Sequence, residues 1–333
     1  MALSKIPRHN VALFVESGGC PRRCYATSKV DLRKFHPLIL EKIEKRSQAY
    51  PVGTMVPVAK EVLLSRNVLI HGVSTLINYF PFMACKFCPE IYIGEQGHLI
   101  QTCWGYRHRA TNRVHEWVKG CLNDIVVPVE TFQLKNMFQG VSHNQRFDSD
   151  RIPAVVELCW QAGADPDDKN LCPSKWNLEA ANGGVDGTES LSPNDLASIA
   201  NNTLRAWETL RSGVGKLLSV YSVKVCKHCS EVHVGPSDHK ARLSGVFKCE
   251  SWKGAHFWIK ANVDHLVPPK IVWRRRPQDP PVLLNEGRDF YGRVPAILDL
   301  CAKAGAIVPA EYNKMMKEQG LPGPANNKIW QGH

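Results

Sequence analysis

Apolar positions in this chain follow two periods, and the change from one to the other marks out its elements. Between residues 196 and 210, Leu196, Ile199, Leu204, Trp207 and Leu210 fall at helical spacing, so they share one face. Just before them stands Ser192-Pro193-Asn194-Asp195. A serine that can cap free amides, followed by proline at the first helical position, predicts a helix start. Short β-branched runs at 223–225 and 232–234, the second closed by Gly235, predict two strands around a knuckle. The matching runs are 82–84 and 91–93. A short helix is expected to begin near His115 and again near His256. A last helix is predicted over 153–162 and over 295–304, stopped by Gly163 and Gly305. In the first of these, Val155, Val156, Cys159 and Ala162 line one side.

The order of elements recurs because the chain repeats itself. A shift of 141 residues carries Cys85 onto Cys226, and Cys88 onto Cys229. It also carries Glu90 onto Glu231, Gly94 onto Gly235, His98 onto His239, His115 onto His256 and Trp117 onto Trp258. One further residue of shift carries 151–164 onto 293–306, both reading Arg-x-Pro-Ala at the start and Ala-Gly-Ala at the end. A repeat of this length points to a duplicated structural unit. The expected fold class is α+β: two tandem repeats, each a small zinc-stabilised β-knuckle module flanked by helices. Repeat 1 spans 55–164 and repeat 2 spans 196–310. Between them, 165–195 is rich in Asp, Asn, Gly, Ser and Pro and predicts a flexible linker. Residues 26–54 form a basic N-terminal extension, and 311–333 a C-terminal tail.

Spacing inside each repeat carries the chemistry. Repeat 1 reads Cys85-x2-Cys88-x9-His98-x9-His108, and repeat 2 reads Cys226-x2-Cys229-x9-His239-x9-Cys249. The last position changes from His to Cys, and both residue types bind zinc. Structural zinc takes four sulfur or nitrogen ligands in a tetrahedron. These eight residues are therefore the candidate ligands of two Zn2+ ions. His115 and His256 compete for the fourth place, since they too coincide under the shift. Cys103 is weaker, because its counterpart is Ser244. Cys159 and Cys301 lie on an apolar helix face and are expected in the core. A thioredoxin-like redox pair needs no histidines at fixed distances, and an iron–sulfur cluster usually takes four cysteines. Both fit less well than zinc.

The formal charge of +11 suits a polyanion such as RNA. Basic and aromatic residues interleave around the ligands: Arg107, Arg109, Arg113 and Trp117 in repeat 1, and Lys240, Arg242, Lys248 and Trp258 in repeat 2. Phosphates are held by Lys and Arg, and bases stack on aromatic rings. Arg274-Arg275-Arg276, beside Trp273, is expected as an exposed loop that contacts phosphate. No apolar run reaches the roughly 18–20 residues of a membrane span, so a soluble chain without a membrane span is expected. Residues 1–25 carry Lys5, Arg8, Arg22 and Arg23 against the single acid Glu16, and an Arg-Cys-Tyr-Ala run, 23–26, spans their end. That composition predicts an organellar targeting presequence. No nucleophile elbow, phosphate-cradling loop or His-Glu-x2-His motif is present, so a non-enzymatic protein is expected.

The segment Val232-His-Val-Gly235-Pro-Ser-Asp-His239-Lys-Ala-Arg-Leu-Ser-Gly-Val-Phe-Lys-Cys249, with Val263-Asp-His-Leu-Val-Pro-Pro-Lys-Ile-Val-Trp273 after it, closely resembles the APO family of land plants. That family is named for accumulation of photosystem one. The resemblance spans about residues 55–310, with the first copy more divergent. It implies zinc-dependent binding of organellar intron-containing transcripts and promotion of group II intron splicing, with other splicing factors as partners. The short N-terminal extension points to a mitochondrial member, with the chloroplast as the alternative. The competing implication is a protein-interaction adaptor for assembly of organellar complexes that contain iron–sulfur clusters.

Overall fold

Two long helices, one from each repeat, cross at the centre of the molecule. The computed structural model describes residues 51–105, 113–134, 149–171, 191–236 and 256–309, together with Pro37, Val141 and Tyr312. Repeat 1 supplies α1 (Val56–Tyr79), β1 (Phe82–Cys85), β2 (Ile91–Ile93), β3 (Trp117–Lys119), α2 (Leu122–Ile125), β4 (Glu130–Phe132), β5 (Arg151–Pro153) and α3 (Ala154–Gln161). Repeat 2 supplies α4 (Pro193–Val220), β6 (Val223–Cys226), β7 (Val232–Val234), β8 (Trp258–Lys260), α5 (Val263–Leu266), β9 (Ile271–Arg274), β10 (Gly292–Pro295) and α6 (Ala296–Lys303). These elements all fall within one compact unit, Ala49–His333. Among the described residues no helix is long and apolar enough to cross a membrane.

The start of α4 is set by its own sequence. Ser192 Oγ accepts the Asp195 amide, and the Asp195 carboxylate reaches back to the Ser192 amide and hydroxyl. This reciprocal pair satisfies two amides that the first helical turn leaves open. Helix α4 then buries Leu204, Trp207, Leu210, Val214 and Leu217, while α1 buries Val62, Leu63, Leu69, Val73 and Leu76. The helices run antiparallel and touch at two glycines. A Cβ on Gly72 would stand 1.9 Å from Thr203 Oγ1, and one on Gly213 would stand 2.4 Å from Val62 Cγ2. Glycine at each crossing point lets one backbone approach the other helix closely.

After each long helix comes a three-stranded antiparallel sheet, in the order β2-β1-β3 and again β7-β6-β8. Strand β1 pairs Ala84 with Ile91 on one side and Cys85 with Trp117 on the other; β6 pairs Val225 with Val232 and Cys226 with Trp258. The expected short helix near His115 and His256 is therefore a strand. The first cysteine-bearing strand has two edges, and 117–119 or 258–260 supplies the hydrogen bonds of the second edge. The short helices α2 and α5 come a few residues later. The last helices end as expected: Gly163 and Gly305 take φ of 89° and 91°, and the Ala164 and Ala306 amides reach back to the Cys159 and Cys301 carbonyls. Cys159 and Cys301 are fully buried in the core.

Two hairpins, β4-β5 and β9-β10, complete the sheet inventory of the described residues. Each hairpin, with the helix after it, docks on the knuckle of the other repeat. Thr131 Oγ1 of β4 donates to the Val232 carbonyl, and Gln161 Nε2 of α3 donates to the Val234 carbonyl. Reciprocally, Lys303 Nζ of α6 donates to the Ile93 carbonyl, and the Leu99 amide donates to the Leu283 carbonyl at 2.9 Å. Of the segment expected as a linker, 165–171 packs onto the fold, with Leu171 buried and its carbonyl bound by Asn67 Nδ2. Residues 172–190 lie outside the described residues, as do 1–25, nearly all of 26–50 and 313–333.

Candidate metal centres

In each repeat the knuckle turn sits between two antiparallel strands, so both thiols of the Cys-x2-Cys pair face the same side. In repeat 1 the sulfurs of Cys85, Cys88 and Cys103 and a ring nitrogen of His115 lie within 4.8 Å of one another, and all four residues are buried. Cys85 Sγ is 3.9 Å from Cys103 Sγ, and Cys88 Sγ is 3.4 Å from His115 Nδ1. A tetrahedral zinc with bonds of about 2.3 Å to sulfur and about 2.0–2.1 Å to nitrogen separates its ligand atoms by roughly 3.5–3.8 Å. The observed spacings fit that ion. In repeat 2, Cys226, Cys229 and His256 lie within 4.8 Å of one another, with Cys229 Sγ 3.4 Å from His256 Nδ1. Corresponding histidines thus present the same nitrogen at the same distance in both repeats.

Electrostatics agree with a cation at these places. Burial pushes the Cys88 thiol up to about 12, with Cys85 adding to the rise, and burial likewise raises Cys103. Burial thus disfavours the thiolates of Cys88 and Cys103 unless a positive charge compensates them. Cys226 behaves differently. Burial raises it, but the Cys229 and His228 amides and the His256 side chain outweigh burial and bring it down to about 6.

The structure separates the residues that sequence spacing groups together. Cys85, Cys88, Cys226 and Cys229 stand at the two clusters. His98 does not join the thiols. Its Nε2 is 3.2 Å from Glu90 Oε1, its Nδ1 accepts the Ile100 amide, and it is completely buried. His115 and Cys103 take the remaining places of the repeat 1 cluster. The signal for His115 was present in the repeat; for Cys103 it was masked by the mismatch with Ser244. His108, His239 and Cys249 lie outside the described residues.

Behind the first cluster a carboxylate binds the histidine. Glu90 Oε2 lies 3.4 Å from His115 Nε2 and accepts the Thr102 hydroxyl at 2.8 Å, while that hydroxyl is 3.0 Å from His115 Nε2. Glu90 Oε1 accepts the Trp273 indole N–H at 2.6 Å. Burial by itself would raise Glu90, but the hydrogen bonds from His98 and Thr102 and the two neighbouring imidazoles hold it at about 2. Glu90 is therefore ionised.

The basic and aromatic candidates also divide. Trp117 is half-buried, stacked at 4.8 Å on His115, and its indole donates to the His98 carbonyl. Trp258 is likewise half-buried against His256. The arginine triplet is not a uniform exposed loop. Arg274 ends β9, half-buried, with Nε 3.5 Å from Asp299. Arg276 is 8% exposed, locked to both Asp279 oxygens and the Phe290 carbonyl. Arg275 is exposed. The proline-rich turn after Arg276 places Asp279 where it closes on the guanidinium, and this removes one expected phosphate contact. Arg113 is exposed, with φ of 55°. Two large aromatics stand out in solvent beside the clusters: Trp104, 61% exposed, follows Cys103, and Phe257, 53% exposed, follows His256. Arg107, Arg109, Lys240, Arg242 and Lys248 lie outside the described residues.

Comparison with known proteins gives the wider context. No solved structure matches the chain. Among curated proteins, APO protein 2, chloroplastic, of Arabidopsis thaliana is 35% identical over 305 residues, covering 81% of this chain and 68% of the relative. APO protein 1, chloroplastic, of the same plant is 35% identical over 299 residues, covering 80% and 69%. APO protein 3, mitochondrial, is 34% identical over 320 residues, covering 88% of this chain and 79% of the relative. The family profile described as APO RNA-binding matches twice, over residues 23–179 and 186–319. With two profile matches spanning most of its length and three relatives of like extent, the chain belongs to the APO RNA-binding family.

Proposed function

We propose that the chain is a zinc-dependent, non-enzymatic RNA-binding protein of a plant organelle that promotes group II intron splicing. The observation that carries the reading is the pair of corresponding Cys/His clusters, one in each copy of a domain whose family is described as RNA-binding. A bound zinc would supply the positive charge that three buried thiols need and would close each knuckle covalently. Cys85, Cys88, Cys103 and His115 would hold it in repeat 1. Cys226, Cys229 and His256 would hold it in repeat 2, with Cys249 or His239 as the fourth ligand. His98 then serves Glu90 rather than the metal.

The clusters hold the loops that face RNA. Trp104 and Phe257 each follow a ligand directly and are more than half exposed, so each can stack on a base. Around them Lys86, Lys119, Lys227, Lys260, Arg113 and Arg275 are exposed and can meet phosphates. The net charge of +11 supports the same reading. The mitochondrial relative, with the longest coverage of this chain among the three, and the acid-poor residues 1–25 favour a mitochondrial address.

Two measurements test this. His115→Ala should release zinc from repeat 1 and weaken RNA binding, whereas His98→Gln should keep two zinc ions per chain. Metal content by mass spectrometry of the native protein checks both, and the opposite pattern would return His98 to the ligand set. Trp104→Ala and Phe257→Ala should each cost about 1–3 kcal/mol of single-stranded RNA affinity with zinc content intact. Affinity for RNA that does not fall as salt rises would instead support the adaptor reading.

A further inference from the structure

We propose that each metal site is completed by the other repeat: Trp273 of repeat 2 fixes Glu90, which positions His115, and Arg151 of repeat 1 fixes Glu231 beside His256. The inference rests on the reading of these clusters as metal sites. In repeat 1 the path is continuous. The Trp273 indole N–H donates to Glu90 Oε1, Glu90 Oε2 and the Thr102 hydroxyl meet His115 Nε2, and His115 Nδ1 faces Cys88 Sγ. A metal-binding imidazole is oriented by whatever its second nitrogen touches, so Glu90 and Thr102 set the angle of Nδ1 toward the thiols. Glu90 is itself half-buried, and its Oε1, which also meets His98 Nε2, is held by a residue 183 positions away in sequence.

In the second site the corresponding carboxylate also meets the other repeat, through different atoms, and lies near enough to His256 to be influenced by it electrostatically. Glu231 corresponds to Glu90, and Arg151 Nη1 of β5 stands 2.9 Å from Glu231 Oε1. Arg151 corresponds to Arg293, and these two arginines do the same thing in their hairpins. Arg151 lies over the ring of Phe132 at 5.0 Å, and Arg293 lies over the ring of Trp273 at 4.7 Å. Phe132 pairs with Arg151 across β4-β5, and Trp273 pairs with Arg293 across β9-β10. Each hairpin therefore carries one stacked aromatic–arginine pair and presents one member of it to the carboxylate of the other repeat. In one direction the aromatic residue delivers the hydrogen bond, and in the other the arginine delivers the charge. Glu90 and Glu231 are positioning residues under this scheme, and metal occupancy in one repeat is linked to the hairpin of the other.

The test uses the full-length chain loaded with zinc and reads each site separately. Thiol alkylation during titration with a chelator, followed by peptide mass spectrometry, reports Cys85, Cys88 and Cys103 apart from Cys226 and Cys229. Trp273→Phe keeps the ring and removes the N–H. It should lower the chelator concentration that exposes the repeat 1 thiols by about 10-fold or more and leave the repeat 2 thiols unchanged. Glu90→Gln should do the same. Arg151→Gln should give the crossed result, exposing the repeat 2 thiols first. A Co2+-substituted sample should show a changed visible spectrum for Trp273→Phe, which a purely structural contact would not alter. If Trp273→Phe exposes both sites alike, or neither, the inference fails. Wild-type thiols that zinc does not protect would overturn the metal reading itself, and this inference with it.

Discussion

Glu157 and Asp299 occupy corresponding places in α3 and α6, and both are almost completely buried. Burial raises both carboxyls, against hydrogen bonds from Gln161 and the Leu134 amide in one case and the charges of Lys303 and Arg274 in the other. A carboxyl whose folded pKa is raised favours the folded state at low pH, and that contribution is lost as pH rises through the folded value. Glu157→Gln should therefore flatten part of the decline in melting temperature as pH rises above the ordinary glutamate range. A melting series that keeps its full slope in the variant would refute this. These acids were invisible in the sequence, because a glutamate on a helix is ordinarily read as solvated. The thiol pairs were legible, since no other residue type repeats as Cys-x2-Cys at a fixed offset. The partners were harder. His98 and His115 both coincide with histidines of repeat 2, and spacing alone does not show that β3 turns His115 toward the sulfurs while Glu90 takes His98.

At the scale of elements, the start of α4 and the ends of α3 and α6 were readable because caps are local chemistry. Ser192→Ala should cost about 1 kcal/mol of global stability, read by urea denaturation, since it removes the acceptor for the Asp195 amide. The crossing of α1 and α4 is less forgiving. Gly72→Ala and Gly213→Ala should each cost about 1–3 kcal/mol through overpacking, with Gly72 the worse. Its added methyl meets Thr203 at both Oγ1 and Cβ, whereas Val62 opposite Gly213 presents chiefly one methyl. Equal stabilities for the two variants and the parent would mean that the helices can part freely. Strand β3 and the hairpins escaped the sequence reading for a different reason. Each strand is only three or four residues long, too short to show a period. The partner strands stand about twenty residues apart in sequence, so no tight turn announces them.

At the scale of the whole molecule, two tandem repeats were expected, and among the described residues the last hairpin and helix of each also reach across to the knuckle of the other, an exchange of contacts between the halves. A knuckle in isolation lacks the strand and helix that cover it, and each long helix lacks its partner. Cutting the chain within 172–190 should therefore yield two fragments that fold poorly alone and combine one to one. Circular dichroism of each fragment and of the mixture, with sedimentation of the mixture, would check this. Two fragments that each melt cooperatively and bind zinc unaided would contradict it. The repeat itself was plain in the sequence, but an internal shift records likeness between halves and is silent about which half touches which.

That exchange has a consequence for how the polypeptide is made. A ribosome releases residues in order, and Glu90 emerges long before Trp273. Throughout that interval the early knuckle waits with its thiols and apolar strands uncovered, and contacts so distant in sequence form slowly. The thiols of the early knuckle are therefore most open to oxidation before the final helix arrives.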